Sequence, residues 1–276
     1  LLTSGDNTVE VQFTRAHSTN GEGLHRFQDP VDGKVYLYSH FEPAAAQQMF
    51  AVFDQPDLKA NYKISVTAPK DWQVISTMRE SSVTPAGTIN RWEFPETPKL
   101  SPYNFSMHAG PYHMWQDNSG RYPMRLFARQ SVAHQVTPQD WFTYTKQGLT
   151  FFDAYFGIPY PFKKYDQILV PDFLYGAMEN AAAVTFAEDH FLHKAEMTAE
   201  QKQSLAGVIM HEMAHQWFGD LVTMKWWNGL WLNESFASFM GTLATQEATE
   251  FTNAWRSFYA QGKQRAYEQD SLVTTH

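Results

Sequence analysis

The sequence HEMAH at residues 211–215, followed by NES at residues 233–235, is the most informative feature of this chain. His211 and His215 are four residues apart, so on a helix both imidazoles lie on one face and can reach a single ion. A catalytic zinc needs a third protein ligand and one open position for water. Glu234, on a second predicted helix, can supply that third ligand.

Glu212 lies inside the same motif and projects toward the same point. Zinc lowers the pKa of a bound water toward about 7, so Glu212 can remove a proton as that water attacks a carbonyl carbon. Histidine pairs at this spacing are common on amphipathic helices, but the downstream carboxylate and four apolar neighbours favour a metal site. Those neighbours are Met213, Ala214, Trp217 and Phe218. Because two imidazoles and one carboxylate suit zinc better than harder cations, we predict one Zn2+ per chain and a zinc peptidase.

The composition limits the classes of protein to consider. A length of 276 residues exceeds the usual size of one domain, so two domains are expected. With 43% hydrophobic and 18% charged residues, the chain can build a sizeable core. The formal net charge of −8 offers no basic patch for nucleic acid, and no run of eighteen apolar residues offers a membrane span.

The chain contains no cysteine, which excludes disulfides and thiolate chemistry. This suits a reducing compartment, so a cytoplasmic location is expected, although exported bacterial proteins can also lack cysteine. The chain begins at Leu1 without an initiator methionine, and helical sequence continues through Tyr267 almost to the end. We therefore expect an excised fragment of a longer protein.

Residues 1–110 predict an antiparallel β-rich N-terminal domain. Short runs of alternating apolar and polar residues, such as Tyr62–Val66 and Trp72–Ile75, are separated by residues typical of turns. A strand-like run from Thr8 to Phe13 opens this domain. A β-ribbon is then predicted from Tyr112 to Val132, at the start of a second domain that covers residues 111–276.

Residues 111–276 alternate predicted helices and strands. Thr137 and Pro138 predict the start of a helix that continues to about Phe156 and ends at Gly157. Thr198 predicts the start of the motif helix, which Gly219 should end. Strands are also predicted at Tyr165–Val170 and Ala182–Phe186, and a helix at Leu230–Ala248. Lys163 and Lys164 should lie in a solvated turn. We expect the aromatic side chains of Trp226, Trp227 and Trp231 to pack in the core.

The spacing of HEMAH and Glu234 resembles that of the gluzincin metallopeptidases, and GAMEN at residues 176–180 narrows the resemblance to the M1 family of zinc aminopeptidases. SHFEP at residues 39–43 and VFDQPDLKA at residues 52–60 resemble motifs of that family's first domain. The resemblance implies an α+β fold, with the N-terminal β domain followed by a thermolysin-like zinc metallopeptidase domain. Family members are longer and carry a large helical region after that domain, so the catalytic domain here is expected to be truncated.

The resemblance assigns the free α-amine of a peptide substrate to Glu179, with assistance from Glu42. A peptide α-amine has a pKa of about 8 and is mostly protonated near neutral pH, so paired carboxylates favour it and reject internal peptide bonds. The expected partners are therefore peptides with a free N-terminal amine.

The residues around Glu179 have further implied roles. The main chain of Gly176, Ala177 and Met178 should bind the peptide as an added edge strand. Tyr175 stands where the family contacts the first substrate side chain, although a packed tyrosine without substrate contact is an open alternative.

Two positions depart from the family pattern, since His40 stands where glutamine is usual and Gln55 where glutamate is frequent. The family's oxyanion-stabilising tyrosine is expected beyond His276. We therefore expect this chain to bind zinc but to have little activity. Two other functions stay open, a non-catalytic peptide-binding module and an epoxide hydrolase of the same family.

Overall fold

The computed structural model describes residues 4–270 and shows the α+β fold that the sequence predicts. Residues 4–110, here called the N-terminal part, form two antiparallel sheets. Residues 111–270, the C-terminal part, form one mixed sheet that is covered by helices. The predicted domain boundary at residue 110 stays a prediction, and the outer ends of both predicted domains, residues 1–3 and 271–276, lie outside the described residues.

Seven strands build the two sheets of the N-terminal part. They are β1 (Gly23–Gln28), β2 (Val35–His40), β3 (Ser65–Pro69), β4 (Gln73–Ser76), β5 (Ser82–Ala86), β6 (Ile89–Glu93) and β7 (Met107–Gly110). The four-stranded sheet has the order β1-β2-β7-β4, and the three-stranded sheet has the order β3-β6-β5. Glu42 follows the last residue of β2 by two positions, so this strand determines where its carboxylate lies.

The four-stranded sheet is the middle layer of the molecule. On one face, Leu37 packs with Trp92 of the three-stranded sheet. On the other face, Tyr36 and Tyr38 pack with Ile168 of the C-terminal part. Successive side chains of a strand point to opposite faces, so β2 contributes to both cores.

The sheet of the C-terminal part has the order β11-β12-β10-β9-β8. Its strands are β8 (His113–Asp117), β9 (Met124–Ala128), β10 (Tyr165–Val170), β11 (Ala177–Met178) and β12 (Ala183–Ala187). β10 runs parallel to both β9 and β12, whereas β8 and β11 are antiparallel to their neighbours. Every residue of β10 is buried, as expected for a central strand covered on both faces.

The C-terminal part also contains helices, of which the first three along the chain pack on the sheet and the later ones pack on other helices. They are α1 (Pro138–Phe156), α2 (Glu188–Phe191), α3 (Ala199–His215), α4 (Leu230–Ala248), α5 (Ala254–Ser257), a π-helix (Phe258–Lys263) and α6 (Gln264–Gln269). Four short 3-10 helices occupy Ala46–Gln48, Pro102–Asn104, Gln130–Gln135 and Trp227–Gly229. Within residues 4–270, no helix combines the length and apolar character that crossing a membrane requires.

The predicted starts of α1 and α3 are correct. Pro138 occupies the first turn of α1, and Gly157 ends the helix in the left-handed conformation with φ of 65°. At the start of α3, the Gln201 amide donates to the Thr198 hydroxyl at 3.2 Å, and the Thr198 amide donates to the Gln201 side chain at 2.8 Å. These two bonds form a capping box that fixes where α3 begins.

α3 and α4 pack closely against each other. Ile209 and Met213 of α3 and Ala237 and Met240 of α4 belong to the same buried core. A Cβ added at Gly241 of α4 would lie 2.9 Å from the backbone nitrogen of His211. The two helices that carry the predicted ligands therefore approach each other at backbone distance.

The predicted strand at Thr8–Phe13 is wrong. This segment has no strand partner among the described residues, and Val9, Val11 and Phe13 are exposed. An alternating pattern forms a strand only where a second strand supplies its hydrogen bonds, and none does so here.

Two further predictions need correction. α3 ends at His215 rather than Gly219, because the Gln216 and Trp217 amides bond carbonyls three residues back and tighten the chain into a turn. Trp226 and Trp231 were predicted in the core but are 53% and 63% exposed. They flank the start of α4 on its outer face, where the described residues provide no cover.

Lys164 was predicted in a solvated turn, but it is buried between the two parts of the chain. Its ammonium lies 2.8 Å from an Asp166 carboxylate oxygen and donates to the carbonyl oxygens of Ser76 at 2.6 Å and Ala182 at 2.8 Å. Burial lowers the pKa of Lys164 to about 8, although Asp166 partly opposes this. The pair Lys163 and Lys164 in the sequence gives no sign that only one side chain turns inward.

We expect Lys164→Ala to lower the free energy of unfolding by about 3 kcal/mol, since it leaves Asp166 and two buried carbonyl groups short of a donor. Lys163 is exposed, so Lys163→Ala should change stability by less than about 0.5 kcal/mol. Urea denaturation of both variants measures the difference. Equal effects of the two substitutions would contradict a structural role for the buried ammonium.

Candidate metal centre and substrate cleft

Three side chains converge where α3 faces α4. The Nε2 atoms of His211 and His215 are 3.1 Å apart. Glu234 Oε2 lies 3.4 Å from His211 Nε2 and 3.6 Å from His215 Nε2. His211 and His215 lie in the last two turns of α3, and Glu234 lies in the first turns of α4. The helix pair therefore brings together the three residues that the sequence predicts as ligands.

The spacing of these three atoms suits a zinc ion. Zinc–nitrogen and zinc–oxygen bonds of about 2.0–2.1 Å in a tetrahedral site place neighbouring ligand atoms about 3.3 Å apart. The three measured separations, 3.1, 3.4 and 3.6 Å, surround that value. The atoms thus form one triangular face of a tetrahedron of the right size.

Hydrogen bonding prepares His215 to act as a ligand. Its Nδ1 lies 3.0 Å from the carbonyl oxygen of Phe218, which can only accept, so Nδ1 carries the proton. In the neutral ring the lone pair is then on Nε2, on the side of His211 and Glu234, which is the usual arrangement of a metal-bound histidine. The turn that follows α3 supplies this carbonyl group.

The charges in this cluster depend on one another. Burial lowers the pKa of His211, which favours the neutral ligand form. Burial also acts to lower the pKa of His215, but the carboxylates of Glu179, Glu234 and Glu212 outweigh it and raise that pKa well above the usual value. For Glu234, burial acts to raise the pKa, but hydrogen bonds to both histidines outweigh it and lower the pKa.

A second group of possible ligand atoms overlaps the first, because Glu179, Glu212 and His215 also lie within 4.8 Å of one another. In this group Glu179 Oε1 approaches His215 Nδ1, at 3.8 Å. The same Nδ1 already donates to Phe218, so it has no lone pair for a metal. The group with Glu234 is therefore the better ligand set.

Glu212 and Glu179 present buried carboxylate oxygens without partners. Glu212 Oε2 and Glu179 Oε1 make no hydrogen bond within the described part of the chain. Burial raises the pKa of Glu212 well above its usual value, and nearby carboxylates add to this against the influence of His215. A buried carboxylate with an elevated pKa suits proton transfer, and one without a partner suits a cationic ligand.

Glu42 reaches the same site from the N-terminal part. Burial and the charges of Glu179 and Glu234 raise the pKa of Glu42 to about 8. This strand-end residue therefore lies close enough to the other carboxylates to experience their repulsion.

All ten predicted site residues line one cavity of about 980 Å³. They are Glu42, Tyr175, Gly176, Ala177, Met178, Glu179, His211, Glu212, His215 and Glu234. The cavity continues along α3 and α4 to the π-helix, where Phe258, Gln261 and Gly262 line it. The structure thus brings the predicted metal ligands and the predicted substrate residues into one space.

β11 forms one wall of this cavity and is the edge strand of its sheet. It pairs only with β12 among the described strands, so its other edge has free backbone groups. Tyr175 precedes it and is about half exposed. The ring of His40 packs behind Tyr175 with centroids 5.1 Å apart, and burial lowers the pKa of His40 to about 4. A neutral aromatic ring therefore stands where the family usually has an amide.

Gln216 is a site residue that the sequence did not reveal. Its side chain accepts a hydrogen bond from the Ala182 amide at 3.0 Å and donates to the Glu179 carbonyl oxygen at 3.1 Å. It thereby fixes the loop that carries Glu179 against the end of α3. A glutamine after His215 has no distinctive pattern, so only the structure shows this link.

Comparison with known sequences agrees with this geometry. Residues 141–276 match the peptidase family M1 domain, and residues 1–104 match the peptidase M1 N-terminal domain. Aminopeptidase N of Streptomyces lividans is 43% identical over 100% of this chain and 32% of its own length. Leucyl aminopeptidase of Saccharolobus solfataricus is 38% identical over 89% of this chain and 31% of its own length. Aminopeptidase 2 of Candida albicans is 34% identical, with 100% of this chain and 30% of the relative covered.

The chain spans about a third of the length of these curated relatives, for example 32% of the Streptomyces lividans protein. The matches to the M1 N-terminal domain and to the M1 domain both lie within this part of the relatives' length.

Proposed function

This chain belongs to peptidase family M1, and we propose that it provides the metal site and the amine site of an aminopeptidase that removes N-terminal residues from peptides. The main support is the triangle of ligand atoms, with sides of 3.1, 3.4 and 3.6 Å, beside the unpartnered carboxylates of Glu212 and Glu179. The named relatives are aminopeptidases, in agreement with this proposal.

We propose His211, His215 and Glu234 as the ligands of one zinc ion per chain. Zinc held there would polarise the scissile carbonyl group and acidify a bound water. The hydrogen bond from His215 Nδ1 to Phe218 holds the proton of the neutral ring on Nδ1, so Nε2 is the nitrogen that would bind the metal. The short distance between α3 and α4 keeps Glu234 within reach of both histidines.

Glu212 is proposed as the general base and then the general acid. Its carboxylate accepts a proton from the attacking water, and the new oxygen–carbon bond forms at the scissile carbonyl. It then gives the proton to the leaving nitrogen as the carbon–nitrogen bond breaks. Burial raises the pKa of Glu212 above its usual value, which makes its carboxylate a stronger base.

Glu179 and Glu42 are proposed to bind the protonated α-amine of the substrate. An ammonium group would supply the hydrogen-bond donor that Glu179 Oε1 lacks and would oppose the burial and the carboxylate charges that raise the pKa of Glu42. An internal peptide bond carries no such charge, so the site favours a free N-terminus. The backbone of Gly176, Ala177 and Met178 would align the peptide along β11, and Tyr175 would contact its first side chain.

A non-catalytic peptide-binding module is the competing class of function. Glu212 argues against it, because a protein that only binds peptides has no need of a buried base beside a metal site. Hydrolysis of a lipid epoxide is the other alternative, and assays with both substrates separate it from aminopeptidase activity.

The 276-residue chain should bind about one zinc per molecule, and Glu234→Ala should lose most of it because only two protein ligands remain. Glu247→Ala is the matched control, since Glu247 is an exposed glutamate on the same helix. Elemental analysis after gel filtration measures the metal. Zinc retained in Glu234→Ala would exclude this ligand set, and no zinc in any sample would exclude a site formed by this chain alone.

The full-length protein should cleave a peptide with a free amine and leave its N-acetylated counterpart intact. Glu212→Gln in that protein should retain zinc and lower kcat by about 10²- to 10⁴-fold, since it removes proton transfer and keeps the shape of the side chain. Stopped assays with the two peptides, together with metal analysis, check both effects. Full activity of Glu212→Gln, or cleavage of both peptides at equal rates, would contradict the mechanism.

The 276-residue chain by itself should be slower than the full-length protein by about 10²- to 10³-fold, the usual effect of losing an oxyanion donor. Tyr259 and Tyr267 are both more than half exposed and do not line the cavity. Neither therefore replaces the tyrosine expected beyond His276. Equal kcat values for the chain and the full-length protein, at equal zinc content, would show that this chain holds every group the reaction needs.

A further inference from the structure

Tyr103 occupies the point where the N-terminal part meets both metal-ligand segments. It lies in the 3-10 helix Pro102–Asn104 and is only 1% exposed. Its hydroxyl oxygen accepts a hydrogen bond from Asn233 Nδ2 at 3.3 Å. The same hydroxyl donates to the carbonyl oxygen of Gly219 at 3.5 Å, a long contact.

These two partners are next to residues of the proposed ligand set. Asn233 immediately precedes Glu234 on α4. Gly219 follows Phe218, whose carbonyl oxygen accepts a hydrogen bond from His215 Nδ1. One hydroxyl group therefore connects the start of α4 with the turn that orients His215.

Gly219 lies in van der Waals contact with both groups. Gly219 has φ of 139°, and a Cβ added there would lie 3.4 Å from the Tyr103 hydroxyl oxygen and 3.5 Å from His215 Nδ1. A residue with a side chain would be strained at this φ, although its Cβ would meet both atoms only at ordinary contact distance. The backbone conformation of this turn therefore favours glycine.

The ring of Tyr103 reaches a third segment. It packs in a small cluster with Met178, the neighbour of Glu179, and with Met224. Trp227 meets it edge-on with ring centroids 5.2 Å apart. Burial, together with the negative charges of Glu179 and Asp220, raises the pKa of Tyr103 well above its usual value, so the hydroxyl stays a donor.

We propose that Tyr103 is a positioning residue, through which the N-terminal part sets the spacing of His215 and Glu234 and so the affinity of the site for zinc. This inference rests on the proposed zinc site. The residue does not touch the metal ligands through hydrogen bonds of its own. It acts through Asn233 on one side and through the Gly219 turn on the other.

Tyr103→Phe in the 276-residue chain tests this directly, since it removes one oxygen atom and keeps the ring. Loss of such an outer partner should weaken zinc binding by about 10-fold or more. Tyr112→Phe is the matched control, because Tyr112 is also buried and its hydroxyl donates to the Leu37 carbonyl oxygen at 3.3 Å. Both variants should lose similar stability in thermal unfolding without metal, but only Tyr103→Phe should bind zinc more weakly in competition with a chelator.

Asn233→Ala provides a second test. If the hydroxyl acts partly through Asn233, the losses of zinc affinity caused by Tyr103→Phe and by Asn233→Ala should not multiply in the double variant. The double variant should bind zinc only slightly more weakly than whichever single variant has the lower zinc affinity. Independent, multiplying losses would overturn the proposed route through Asn233.

The outcomes separate this inference from the zinc proposal. No zinc binding by the unmodified chain would overturn the proposed site itself. Zinc binding by the unmodified chain with equal affinity in Tyr103→Phe would leave that site standing and overturn the role of Tyr103. Equal losses of affinity in Tyr103→Phe and Tyr112→Phe would show a general effect of stability and would also overturn it.

Discussion

Repulsion among buried carboxylates is the constraint on which this site depends. Glu42, Glu179, Glu212 and Glu234 line one cavity, where burial and mutual charge raise the pKa of Glu42 to about 8. Such an arrangement costs folding free energy, because the buried charges of Glu179 and Glu212 lose their hydration and like charges face one another in the cavity. The close packing of α3 on α4 holds it in place. A cation therefore stabilises the cavity wherever it binds.

The two parts of the chain form the site together. The middle sheet buries Tyr36 and Tyr38 against Ile168 of the C-terminal part, and the buried ammonium of Lys164 joins β4 to β10 and to the residue before β12. These contacts hold the sheet that contains β2 against the C-terminal part, and Glu42 follows β2 into the cavity. The proposed amine site thus lies where the two parts meet, whereas the proposed metal ligands belong to one pair of helices.

The sequence predicted what depends on local spacing. A period of four residues on a helix places His211 and His215 on one face, and the cap at Thr198 fixes where that helix starts. The roles of Lys164 and Tyr103 were not predicted, because they come from contacts with segments far away in the chain. A local sequence pattern does not reveal such contacts. The prediction for Trp226 was wrong for the opposite reason. Its apolar character suggested a buried side chain, but burial depends on which residues pack against that side chain.

The unpaired edge of β11 can be both useful and harmful to the molecule. A strand edge with free amide and carbonyl groups invites any extended segment, including one from another copy of the molecule, to pair with it and aggregate. This edge is only two residues long and lies in the wall of a cavity crowded with carboxylates. The middle of a foreign strand would gain few hydrogen bonds there and would bring no positive charge. The recess that is proposed to bind a chain terminus therefore also protects the protein from unwanted β-pairing.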